Sequence, residues 1–247
     1  MHRYQPFVEL AKRYGSASEE SRTRVREEIE RWHEGEKARL RQMIQAALNR
    51  ALDALWPASR APLGEFRMDD LIDLLIREGK LWVESQRSGH RNQGTGLNAQ
   101  DGKALAPFFP AAVMQAVRIC RVTGIENPPF YASLQQAGYP IPLDFRVMEA
   151  ITFVDTILAQ TTVPPSRWIS LLFHECVHAS QYRLLGMDLF VEQYVSGWAA
   201  NGFDYASIPL EQDAYQLQAR FASDPRLEFS VEAELQRRFE SRGITAR

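Results

Sequence analysis

The pentapeptide His174-Glu175-Cys176-Val177-His178 sets two imidazoles four positions apart, with a carboxylate next to the first. On a helix, residues four apart stand about 6 Å from each other on one face, so both rings can converge on one metal ion at about 2.0–2.1 Å. Glu175 is turned about 100° around the axis from His174 and reaches a metal-bound water rather than the metal. The chemistry of such an HExxH arrangement is attack by an activated water, with Glu175 as the general base. The plain alternative is a helix with two histidines and no metal. Placement weakens it: Ile169, Leu172, Phe173, Cys176 and Leu184 give the helix an apolar face, and two histidines on a half-buried helix need partners.

Zinc needs at least one more protein ligand, and a catalytic site keeps a position for water. No third histidine follows the motif, so the metzincin pattern fails; His2, His33 and His90 all lie upstream. The downstream carboxylates are Asp188, Glu192, Asp204, Glu211 and Asp213. Glu192 falls on a helix expected over 187–199. Glu211 opens a further helix just after Pro209, and a helix that starts after a loop at 200–208 can fold back across the HExxH helix. Ala214, one turn on, lets the two backbones approach. Spacing alone puts Glu211 modestly ahead of Glu192, and an acid in a first turn also has a purely local explanation in the helix dipole. Two histidines and a carboxylate also suit iron, but the HExxH spacing favours zinc. Tyr205 and Tyr215, near Glu211, are candidate donors to a developing oxyanion, and Tyr182 is a candidate support for His178; packing is the simpler role for each. Cys176 points away from the metal and reads as a buried structural thiol.

The run FHECVHASQYRLLG followed by YASIPLEQDAYQLQARF resembles the gluzincin-type HExxH zinc metallopeptidases and the domain of the extracellular contractile injection system core family. MEAITFVDTILA, just upstream, is similar to the strand that those domains place before the HExxH helix. The resemblance covers about residues 145–222. It implies a zincin-like domain with His174, His178 and Glu211 as zinc ligands, the last in an ExxA-like helix, and Glu175 as the catalytic glutamate. The expected function is a zinc-dependent hydrolase acting on peptide or protein. A different class stays open: a metal-binding or partner-binding module whose zinc site is structural or vestigial.

The elements that must position these residues are mostly helical. Val25, Ile29, Trp32, Leu40, Ile44, Leu48, Leu52 and Leu55 form a stripe through a charged helical stretch at 18–56. Its Glu27, Glu28, Glu30, Glu34 and Glu36 offset its arginines, which favours a solvated or partner-binding face over a membrane surface. A helix is expected at 68–79, stopped by Gly79, and another at 107–119. Between them Ser85 to Gly102 is polar and glycine-rich, the best candidate for a linker or mobile loop. Ile151 to Leu158 is rich in β-branched residues and reads as a strand that could pair with extended peptide. Ser166 is a plausible N-cap for the HExxH helix, and Gly186 its stop. The expected fold is a mainly helical α+β chain, with an N-terminal helical region at 1–100 and a zincin-like metallopeptidase domain with a small sheet at 101–247.

Composition bounds the rest. A chain of 247 residues with 45% hydrophobic residues can bury a real core. Twenty-nine basic and 31 acidic residues give a net charge of −2, which argues against a dedicated nucleic-acid binder. Two cysteines require no disulfide framework. The first residues lack an apolar stretch of signal-peptide length, and no run approaches the roughly 18 apolar residues of a membrane span, so a cytoplasmic location is expected.

Overall fold

Proline sets the start of both helices that matter most here. Pro165 and Pro209 each occupy a first-turn position, where a missing N–H costs nothing and the fixed φ suits a helix. The residues before them, Pro164 and Ile208, are extended and serve as N-caps without a side-chain bond. Ser166 therefore lies inside the HExxH helix rather than capping it.

The computed structural model describes residues 68–132, 143–224 and 228–245. The helical reading of 18–56 lies outside them. The helices are α1 (Met68–His90), α2 (Ala99–Leu105), α3 (Ala111–Ala116), α4 (Pro165–Ala200), α5 (Pro209–Ser223) and α6 (Val231–Ser241). The strands are β1 (Arg118–Val122), β2 (Ala150–Phe153) and β3 (Thr156–Gln160), in the order β1-β3-β2. Strand β1 runs parallel to β3 and β2 antiparallel to it. The described part is thus mainly helical α+β with a small mixed sheet. No helix among the described residues is long and apolar enough to cross a membrane.

Several boundaries differ from the sequence expectation. Gly79 does not stop α1: the helix continues through buried Trp82 and Val83 to His90. A Cβ at Gly79 would lie 3.3 Å from Val191 Cγ1, so the bare backbone lets α1 approach α4 closely. The expected helix at 107–119 is only α3, because the chain enters β1 at Arg118. The expected strand at 151–158 is a hairpin, turning at Val154 and Asp155 with Phe153 opposite Thr156. Val154 has φ 61°, which a β-branched residue rarely adopts.

The stretch 85–102 is not a free linker. It carries the end of α1, a 3-10 turn at Arg91–Gln93, a two-way main-chain bridge from Thr95 to Ile119 and the start of α2. Arg87 meets Asp155 through Nε at 2.8 Å and Nη2 at 2.9 Å, and Arg91 meets it at 2.7 Å, which pins the hairpin turn. The described residues belong to one compact unit spanning Glu65–Gln135 and Ile141–Arg247.

Helix α4 is two arms joined at Gly186, whose φ of 76° and ψ of 162° no other residue adopts easily. The helix expected over 187–199 is its second arm. An aromatic cluster sets the first arm against α5: Phe173 stacks on Phe221 with centroids 4.3 Å apart, and Phe108 meets both edge-on. Phe173 adjoins His174, so this packing fixes where the motif sits relative to α5.

Candidate metal centre

Helix α4 puts His174 and His178 on one face, and α5 brings Glu211 against them. Their Nε2 atoms are 3.0 Å apart, and Glu211 Oε2 lies 3.5 Å from each. All three residues are buried, and no other group of metal-ligating side chains this close occurs among the described residues. Ligands held 2.0–2.1 Å from a tetrahedral ion are about 3.3–3.4 Å apart, so this triangle has the size of one face of a zinc tetrahedron. Glu211 Oε2 is buried with no hydrogen-bond partner among the described residues. Its other oxygen, Oε1, accepts a 2.8 Å bond from the Tyr194 hydroxyl. A buried anionic oxygen without a hydrogen-bond donor, 3.5 Å from two imidazole nitrogens, fits a cation. Donor types, spacing and burial therefore all suit zinc.

Electrostatics within the cluster agree. Burial pushes the Glu211 carboxyl up, but the adjacent His178 and His174 hold it well below the usual carboxylate range. Burial pushes His178 down, and the Glu211 carboxylate more than reverses this, raising the ring to about 9. Burial, followed by the Glu211 charge, lifts the phenols of Tyr194, Tyr205 and Tyr215, so all three remain protonated donors.

The other downstream carboxylates are engaged elsewhere. Glu192 and Asp188 pair with Lys80 at 2.8 and 3.4 Å, and Glu192 faces solvent. Asp213 is buried between Arg238 and Arg242, and Asp204 accepts from Ser207. His90 lies outside the cluster, while His2 and His33 lie outside the described residues. Cys176 is fully buried, and burial raises its thiol.

Glu175 is 3% exposed and faces β2, where the Thr152 hydroxyl lies 2.7 Å from Oε2 and 3.1 Å from the Glu175 carbonyl. Strand β2 is one of the two outer strands of the sheet. Gln160 N donates to Glu149 O, and by alternation the main-chain groups of Phe153 and Ile151 also face β3. Those of Ala150 and Thr152 face away from it, unpaired among the described residues.

A cavity of about 120 Å³ adjoins the cluster and is lined by all three candidate ligands and Glu175. Its walls are α1, β2 and the second arm of α4, and include Trp82, Phe145, Phe153, Phe190 and Trp198. Glu175 and Glu211 are the only acidic or basic groups besides the two histidines on its described lining. No residue of 85–102 lines it. Tyr205 does, whereas Tyr215 lies 4.6 Å from the His174 ring and is half exposed. Tyr182 stacks on Phe190 at 3.6 Å, a packing role.

Sequence reasoning missed Tyr194, Thr152 and two glutamines. Gln218 touches His174 and Gln181 touches His178. Gln181 stands three residues after His178 on the same helix, a spacing that could have marked it; Tyr194, Thr152 and Gln218 act through contacts that only the folded chain supplies. No family model matches the chain, and no match was found among curated proteins or solved structures.

Proposed function

We propose that the chain is a zinc-dependent hydrolase, and specifically a peptidase of the HExxH type with Glu211 as the third ligand. One observation carries this reading: Glu211 Oε2 is buried without a hydrogen-bond partner and faces both histidine Nε2 atoms at 3.5 Å. Such an anion is destabilising unless a cation completes it, which is protonated His178 in the metal-free chain and, in this reading, a metal ion in the working one.

His174, His178 and Glu211 hold the ion. Zinc, when bound there, supplies a Lewis acid that makes water more acidic and a carbonyl more electrophilic. Glu175 carries the proton, taking it from the attacking water and delivering it to the leaving amine. Thr152 anchors one oxygen of that carboxylate and leaves the other for proton traffic. The outward main-chain groups of Ala150 and Thr152 pair with substrate as an added strand. The apolar cavity takes one uncharged side chain, and Tyr205, on its wall, donates to the developing oxyanion.

A structural metal site is the second reading. Burial favours it, since His174, Glu175, His178 and Glu211 are each only 3–6% exposed. Metal content by mass spectrometry on chelator-free protein is the first test, with about one zinc per chain expected in wild type and its loss in Glu211→Ala. Glu175→Gln is then expected to keep zinc and lose peptide hydrolysis by about 10²–10⁴-fold. Zinc without any hydrolysis, or hydrolysis untouched in Glu175→Gln, favours the structural site. No metal in wild type, even after zinc is offered, removes both readings.

A further inference from the structure

Each of the two glutamines touches one imidazole and one main-chain carbonyl. Gln218 presents Oε1 to His174 Nδ1 at 3.2 Å, while its Nε2 donates to Ser170 O at 3.1 Å and Ser170 Oγ at 3.0 Å. Gln181 presents Oε1 to His178 Nδ1 at 2.8 Å, and its Nε2 donates to Leu210 O at 2.9 Å.

The carbonyls settle which way round each amide sits. A carbonyl oxygen only accepts, so each amide must turn its NH2 group toward Ser170 O or Leu210 O and its oxygen toward the ring. The amide oxygen also only accepts, so each Nδ1 must be the nitrogen that carries the proton. The Nε2 atoms of both rings are then the lone-pair bearers in the neutral form, and they are the atoms that face Glu211 Oε2. A divalent cation needs the rings in this form.

The same amides also tie the two ligand-bearing helices together. Gln218 stands on α5 and holds both a ring and the backbone of α4. Gln181 stands on α4 and holds Leu210, the residue before Glu211. Ring orientation and the position of the third ligand are thus set by one pair of bridges, not by independent contacts.

We propose that Gln181 and Gln218 are positioning residues that ready this site for its cation, fixing the Nδ1–H form of both imidazoles and the register of Glu211 against them. The proposal rests on the metal reading of the site. Because both partners are amides, they orient the rings without the added basicity that a carboxylate partner gives.

The test is zinc affinity, measured on the full chain by competition with a chromophoric chelator, for wild type, Gln181→Met, Gln218→Met, Gln181→Glu and Gln218→Glu. Methionine is close in shape and removes both hydrogen bonds. Glutamate keeps an acceptor for Nδ1–H and loses the donor to the carbonyl. Each methionine variant is expected to bind zinc about 10- to 100-fold more weakly, and each glutamate variant to recover most of that loss. Metal-free circular dichroism establishes that each variant is folded. Proton NMR of zinc-loaded wild type is expected to show two slowly exchanging imidazole N–H signals, and this readout decides if a methionine variant fails to fold. Methionine variants that bind like wild type, glutamate variants as weak as the methionine ones, or rapidly exchanging N–H protons overturn the proposal. A wild type that takes up no zinc removes the metal reading and this proposal with it.

Discussion

Tyr194 and Glu211 are 17 residues apart in the chain, yet the Tyr194 hydroxyl donates to Glu211 Oε1 across 2.8 Å. One carboxylate oxygen is thereby held by a phenol, and the other is left to the histidines. The phenol itself is half-buried in the wall of the apolar cavity, where its ring stacks on Phe190 with centroids 5.8 Å apart.

Tyr194→Phe keeps that stacking and leaves a buried acceptor without a donor. A loss of about 1–3 kcal/mol is expected in unfolding experiments, together with zinc binding weakened by about tenfold or more. Thermal unfolding and chelator competition read the two effects separately; unchanged values in both mean that Glu211 is held by its helix alone.

Thr152→Val removes the hydroxyl at Glu175 Oε2 with almost no change in shape. Hydrogen bonds to charged groups contribute about 1.5–3 kcal/mol, so kcat is expected to fall about 10- to 100-fold with zinc content and KM nearly unchanged. A change confined to KM would move Thr152 from orienting Glu175 to binding substrate.

His178 makes metal-free stability depend on pH with a definite sign. Burial opposes the imidazolium, but the Glu211 carboxylate outweighs it and sets the folded pKa at about 9, above the ordinary value of 6.5. The folded state therefore holds this proton more tightly than the unfolded one. Its contribution is complete below pH 6.5 and is lost as pH rises through about 9. Metal-free Tm is expected to decline over that span, while zinc, which displaces the proton, binds more tightly across it. A Tm that rises from pH 6.5 to 9 contradicts the assignment.

Gly186→Ala places a Cβ at φ 76° and ψ 162°, a region used almost only by glycine. The expected cost is about 1–3 kcal/mol, read as a lower Tm of the metal-free protein. Wild-type stability in the variant would mean that the break between the arms relocates freely.

The candidate metal centre was legible wherever a grouping follows from spacing along one helix. His174, Glu175 and His178 needed only a period of 3.6, and Pro209 announced the helix that carries Glu211. Elements decided by distant contacts were not legible. Ser85 to Gly102 reads as linker because its order comes from Asp155 and Ile119, far along the chain. Gly79 reads as a stop because Val191, which makes its bareness useful, belongs to another helix. The hairpin turn at Val154 carries no glycine or asparagine to mark it, since two arginines on α1 and the 3-10 turn that follows it hold that turn in place.

The break at Gly186 converts sequence distance into proximity. A straight helix rises about 1.5 Å per residue, which would carry Tyr194 about 24 Å along the axis from His178. Because the axis changes direction at one residue, the same continuous run supplies two of the candidate ligands and then returns to hold the third. The loop and helix that follow need only bring Glu211 to a place already prepared for it. Assembly of the centre is therefore largely a local event within 174–218, and shortening or lengthening the second arm by one residue would rotate its inner face by about 100° and take Tyr194 away from Glu211.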